Sequence, residues 1–151
     1  MIRFTQLENG LRIITDNVPT VGSVAIGAWY AVGARDEERA ENGIAHLVEH
    51  MMFKGTPSRD AKRIAEEIES VGGDMNAYTS REITAYFIHL LKEDTGLAID
   101  VLADILQHSM FDESELERER QVILQEIGMV NDTPDDWIFD NFQEVAFPDN
   151  R

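Results

Sequence analysis

Two periods of apolar and polar alternation run along this 151-residue chain, and together they predict a set of strands and helices. Phe4-Thr5-Gln6-Leu7 and Leu11-Arg12-Ile13-Ile14-Thr15 flank Asn9-Gly10, which predicts a hairpin over residues 2–17 with that pair as its turn. Ser23 to Val32, rich in Val, Ile, Trp and Tyr, predicts a third strand that Gly33-Ala34-Arg35-Asp36 breaks. A helix follows from about Asn42. Ser58 is expected to cap a second helix running to about Val71, where Gly72-Gly73 ends it. Asp74 to Ser80 and Ile83 to Leu91 read as two more strands. Helices are then expected from about Asp94 to His108, Asp112 to Asn131 and Pro134 to Ala146. Strands grouped first and helices later, with no repeat or internal linker, predict an α+β fold with a largely antiparallel sheet packed with helices. Trp29, Tyr30, Met51, Met52 and Met110 are expected to serve as packing residues.

The helix from Asn42 carries the pentad His46-Leu47-Val48-Glu49-His50. At 100° per residue, both histidines and Glu49 fall within an arc of about 100°. Ile44, Leu47, Val48, Met51 and Met52 recur with helical spacing and are assigned to the opposite, packing side. Histidines four apart on a helix can reach one metal ion, and a carboxylate beside the second can take a proton from a water held at that ion. This order inverts the H-E-x-x-H arrangement and is the inverzincin signature. The same three residues also suit an ordinary polar helix face, so the metal reading requires a third donor. His89 and His108 have no partner at useful spacing and are read as strand or helix-end residues.

In the helix from Asp112, Asp112 and Glu115 form a start resembling a capping box. Leu116, Ile123, Ile127 and Val130 project as one stripe, and Glu119 and Glu126 fall inside it. A buried carboxylate needs a cation or strong donors, whereas one at the wet margin of a narrow stripe needs neither. Both readings stand on this helix alone.

The run Gly43-Ile44-Ala45-His46-Leu47-Val48-Glu49-His50-Met51-Met52-Phe53-Lys54-Gly55-Thr56, then Asn76-Ala77-Tyr78-Thr79-Ser80-Arg81-Glu82, then Glu119 to Glu126, resembles the pitrilysin/insulinase family of inverted zinc metallopeptidases. Within it the chain looks most like the beta subunit of mitochondrial processing peptidase and its bacterial relatives. In that family a glutamate about 76 residues after the second histidine completes the zinc site, and that position here is Glu126. The resemblance implies Zn2+ held by His46, His50 and Glu126, Glu49 as general base, and Glu119 as an accessory carboxylate. It also implies that Asn76, Ala77, Tyr78 and Thr79 lie on an edge strand beside the zinc, where an extended peptide can add as a further strand. Read without the family, those four residues are equally an arm of a hairpin. The implied activity is that of a zinc metalloendopeptidase acting on unfolded peptides or presequences enclosed between two halves. Residues 1–151 are then expected to be the N-terminal zinc-binding domain, most of the first α/β half of a clamshell enzyme and a fragment of a longer chain. A complementary C-terminal half or partner subunit is expected to complete it.

Composition narrows the partners. The formal net charge is −16, with 29 acidic against 13 basic residues, which argues against nucleic acid and suits basic substrates. Cysteine is absent, so no disulfide framework or thiolate site exists. No apolar run approaches the roughly 20 residues that span a bilayer, and Met1 leads into a polar strand, so a membrane partner is not expected. The expected location is the cytoplasm, with the mitochondrial matrix as the alternative. Two other classes remain open: a non-catalytic structural relative of the same fold, and a metal-binding subunit that turns over only with a partner half.

Overall fold

The computed structural model describes residues 1–147; residues 148–151, the end of the expected 1–151 domain, lie outside the described residues. Among the described residues, five strands and five α-helices follow the expected order. Strands β1 (Ile2–Gln6) and β2 (Arg12–Asp16) pair antiparallel, with Ile2 opposite Asp16 and Gln6 opposite Arg12. Their connection is longer than a two-residue turn. The Gly10 amide donates to the Leu7 carbonyl at 2.9 Å and Gly10 alone takes a positive φ, of 88°. Asn9 does not, so the turn that requires both central residues to be left-handed does not form.

The antiparallel strands form two sheets rather than one. The β1–β2 ribbon stands apart with its side chains exposed, and β3 (Ser23–Tyr30), β5 (Thr84–Leu91) and β4 (Asp74–Thr79) make a second sheet in the order β3-β5-β4. β5 is the central strand. Its even-numbered residues Thr84, Tyr86, Ile88 and Leu90 all face the core, as period-two alternation requires. Against them lie Ile64 and Ile68 of α2 (Ala61–Glu69) and Ala98, Val101, Leu102 and Ile105 of α3 (Thr95–His108). Those α3 positions follow the i, i+3, i+4, i+7 spacing of one helical stripe.

The helices cover one face of this sheet, and that corrects part of the packing assignment. Trp29, opposite Ala85, lies on the other face and is 62% exposed. Tyr30 is also exposed but meets Tyr86 edge-on, with ring centroids 6.3 Å apart. Met51 is buried and Met52 packs against the core, whereas Met110 is 54% exposed in the turn before α4. Ile44, assigned to the packing side of its helix, is likewise exposed.

Two loops set where the next elements begin. After β3 the chain passes so close to the β4–β5 loop that a Cβ on Gly33 would lie 2.3 Å from the Ser80 carbonyl oxygen. Only glycine fits there. The Ala34 and Arg35 amides then bond the Ser80 and Arg81 carbonyls, which anchors the short 3-10 turn Ala34–Asp36 leading to α1 (Ile44–Met51). In the second loop the cap of α2 is Asp60, which accepts from the Arg63 amide at 2.7 Å, and not Ser58. Ser58 lies too early in the loop and instead donates its hydroxyl to Asp104 of α3 at 2.7 Å.

Asp104 gathers that loop onto the helices. It accepts from Thr56 Oγ1 at 2.8 Å and from Arg59 at 2.8 Å, while Arg59 also pairs with Glu67 of α2 and with Asp100. Burial alone would raise the Asp104 pKa, but the bonds from Ser58, Arg59 and Thr56 outweigh it and bring the group down to about 2 from an ordinary 3.8. A carboxylate depressed in the folded state stabilises the fold above its unfolded value and loses that contribution as pH falls through its folded value. The expected contribution is on the order of 2 kcal/mol near neutrality, with roughly half gone by pH 3. Thermal melts of Asp104→Asn beside the parent should therefore show a gap that is widest above pH 5 and narrows toward pH 3. A gap independent of pH would mean that the carboxylate charge is not what the loop depends on.

Candidate metal centre

α1 begins without a side chain of its own at the cap. Gly43, at φ 94°, precedes it, and the Glu37 carboxylate accepts from the Gly43 and Ala45 amides at 2.7 and 2.8 Å. A negative group at the free amides of a first turn also complements the helix dipole. Glu37 lies six residues upstream of Gly43, outside the window in which caps are sought, so the sequence reading missed it.

One turn along, the His46 and His50 rings stand perpendicular with centroids 4.7 Å apart, and their Nε2 atoms are 3.2 Å from each other. The third donor arrives from α4 (Glu113–Asp132), where Glu126 Oε2 lies 3.6 Å from His46 Nε2 and 3.7 Å from His50 Nε2. Among the described residues, His46, His50 and Glu126 form the one group of metal-ligating side chains whose donor atoms all lie within 4.8 Å of one another. Two lone-pair nitrogens and a carboxylate oxygen this close repel unless a cation or proton lies between them. Tetrahedral zinc, about 2.0–2.1 Å from each donor, requires donors about 3.3 Å apart, so the nitrogen and oxygen set fits that ion in kind and spacing.

Seven residues before Glu126, two turns back on the same face, Glu119 lies behind His50. Its Oε2 accepts from His50 Nδ1 at 2.9 Å, which commits the proton to Nδ1 and leaves Nε2 toward the cluster. Its Oε1 meets Lys54 Nζ at 2.6 Å. Glu119 is 6% exposed, the one fully buried residue of α4 among those described. Burial opposes its ionisation, but the bonds from Lys54 and His50 outweigh that and hold its carboxyl below the ordinary value. The α4 stripe is therefore narrower than its pattern suggested. Leu116 and Ile123 are half-buried and Ile127 and Val130 are exposed, so the helix is held chiefly at its polar positions. Asp112 caps α4 through the Ser114 and Glu115 amides, while the Glu115 side chain pairs with Arg118 instead of closing a capping box.

Glu49 does not join the three-donor group. Its Oε2 is enclosed and, among the described residues, has no hydrogen-bond partner. Tyr86 is close enough to register its charge: burial first, then Glu49, then Tyr30 push the phenol up to about 12. Asn76, Ala77, Tyr78 and Thr79 are the last four residues of β4, an edge of the β3-β5-β4 sheet, and α1 packs beside this strand. Ala77 and Thr79 turn toward the helices and Asn76 and Tyr78 outward. The Ala77 amide is taken by Asn76 Oδ1 at 2.8 Å. His89 lies 3.6 Å from Asp74 and His108 3.3 Å from Asp104, apart from the three-donor group. Lys54 was present in the sequence motif but carried no assignment; its position four residues after His50 was the available signal.

Residues 12–151 match the family described as insulinase (peptidase family M16), and the chain belongs to that family. A Bacillus subtilis protein named uncharacterized zinc protease YmxG is 46% identical over 147 residues, covering 97% of this chain and 36% of that protein. A Rickettsia bellii protein named uncharacterized zinc protease is 50% identical over 145 residues, covering 96% of this chain and 35% of the relative. In three dimensions the fold is similar to a protease from Helicobacter pylori, with a TM-score of 0.80 and 30% identity over 87% of this chain and 34% of that one. The chain thus spans about a third of the length of the relatives it matches. No helix among the described residues is long and apolar enough to cross a membrane.

Proposed function

We propose that this chain is the N-terminal zinc-binding domain of a metalloendopeptidase. His46, His50 and Glu126 would hold the ion, and the convergence of their three donor atoms is the observation that carries this reading. The relatives' names, zinc proteases, agree with it. Zinc, when bound, supplies Lewis-acid chemistry: it polarises a carbonyl oxygen and makes water more acidic. Glu49 is the base. It lies between the two histidines in sequence, and with no hydrogen bond to Oε2 among the described residues its carboxylate is uncommitted, able to turn to the attacking water, accept its proton and pass it to the departing amine nitrogen. Glu119 keeps His50 in one tautomer and orientation through Nδ1. Hydrolysis then breaks the peptide C–N bond, with water providing the new carboxyl oxygen and the protons that balance the amine.

The substrate class is an unfolded peptide or presequence in extended form. The edge position of β4 supports this, because an extended chain can add there through its own amides and carbonyls, with Asn76 to Thr79 as the receiving segment. An incoming strand would displace Asn76 Oδ1 from the Ala77 amide. The centre is open on one side, with His46 and Glu126 about two-fifths exposed. A complementary C-terminal half, or a partner subunit, would close it and hold the peptide in attack geometry.

In the intact enzyme, Glu49→Gln should retain zinc at one equivalent while peptide cleavage falls by about 10²–10⁴-fold, since the amide keeps the shape and cannot take the proton. Glu126→Gln should do the reverse first, lowering zinc occupancy. Metal analysis beside a peptide-cleavage assay separates the two, and loss of zinc from the Glu49 variant would make that residue a ligand instead of the base.

Ala77→Pro deletes the amide at the edge and should impair cleavage far more than zinc binding. Thermal melting must show that the variant is folded. A folded, zinc-loaded variant with normal cleavage would remove this strand from the substrate site and leave the metal assignment intact.

A further inference from the structure

His50, in the last turn of α1, and Lys54, in the turn that follows the helix, stand four residues apart, and both reach across to one carboxylate on α4. The Lys54 backbone is tied there as well, its amide donating to the Met51 carbonyl at 3.1 Å. Glu119 is buried, and each of its oxygens has one partner: Oε1 has the Lys54 ammonium at 2.6 Å and Oε2 has His50 Nδ1 at 2.9 Å.

We propose that Lys54 is a positioning residue for the metal centre: by occupying Oε1 it leaves Oε2 committed to His50 Nδ1, and so fixes the ring that presents Nε2 to the ion. The inference rests on the reading of His46, His50 and Glu126 as ligands. The physical reason is the scarcity of donors in a buried place. A carboxylate with one filled and one empty oxygen in a dry environment rotates or draws in water to fill the other, and either motion releases the imidazole from its single orientation. An ammonium carried by the turn that directly follows the histidine's helix prevents this without a separate support. Lys54 does not touch the reacting atoms, so its influence runs through Glu119 and His50 alone.

The test is a double-mutant cycle on zinc affinity in the intact protein, measured by competition with a chromophoric chelator, using Lys54→Met, Lys54→Arg, Glu119→Gln and the double variant Lys54→Met with Glu119→Gln. Lys54→Met should raise the zinc dissociation constant about tenfold or more, as loss of a group that orients a ligand does. Lys54→Arg should restore most of it, and in the Glu119→Gln background Lys54→Met should add less than about twofold, because the carboxylate it orients is gone. The His50 Nδ1–H resonance of the zinc-loaded protein should be sharp in the parent and broadened in Lys54→Met. A merely structural ion pair would lower the melting temperature of the metal-free protein and leave both readouts unchanged. Zinc affinity of Lys54→Met within twofold of the parent, or a weakening that persists undiminished without Glu119, would overturn the proposal. Should Lys54→Met not fold, Lys54→Gln replaces it in the same cycle with the same two outcomes. Failure of the parent itself to bind zinc would instead overturn the ligand reading, and this inference with it.

Discussion

Three electron-rich atoms, two imidazole nitrogens and one carboxylate oxygen, are brought within 3.2 to 3.7 Å of one another where α1 crosses α4. Bare, such a group repels itself; with a cation among its members it becomes an attraction between two helices. The rest of the structure is arranged to hold that crossing. The larger apolar residues of α4, Leu124, Ile127 and Met129 among them, stay exposed, and its one buried residue among those described is a charged one, Glu119, joined to both His50 and Lys54 of the opposing segment. The contact between the helices is thus largely polar and depends on every member being paired, since a buried charge that loses its partner is strongly destabilising.

The apolar core does a different job. Ile64, Ile68, Tyr86, Ile88, Val101 and Ile105 fix α2 and α3 on one face of β5. Because β4 is hydrogen-bonded to β5, the same core fixes the edge strand beside α1. At the other end of α1, the loop through Thr56 and Arg59 is fastened to Asp104, so the turn that carries Lys54 is followed within a few residues by an anchored segment. Rigid scaffold and polar site are therefore separate layers that meet at α1.

Local chemistry made most of the elements legible. Period-two runs marked the strands, glycines marked their ends, and Asp112 and Pro134 marked two helix starts, because each of these signals acts through the residue's own backbone or its near neighbours. The pentad could be recognised for the same reason: histidines four apart share a helix face whatever surrounds them. The 76-residue spacing to Glu126 was legible only through the family resemblance, since no local rule links residues so far apart.

What depended on distant partners could not be read this way. Glu37 caps α1 from outside the usual window, Asp60 rather than Ser58 caps α2, and Ser58 serves Asp104 in another helix. The division into two sheets follows from which strands pair, and the exposure of Trp29 from which face the helices cover; periodicity along a single strand encodes neither. Lys54 is the sharpest case. In sequence it is one lysine on a strongly acidic chain; its place on Glu119 exists only because α1 and α4 cross. The sequence by itself determined which segments are helix or strand and which residue types share a helix face, since those follow from 3.6- and 2-residue periods. Tertiary structure alone decided which of those residues meet and which is buried, because the pairing of a charge is a property of the space between elements and not of either element.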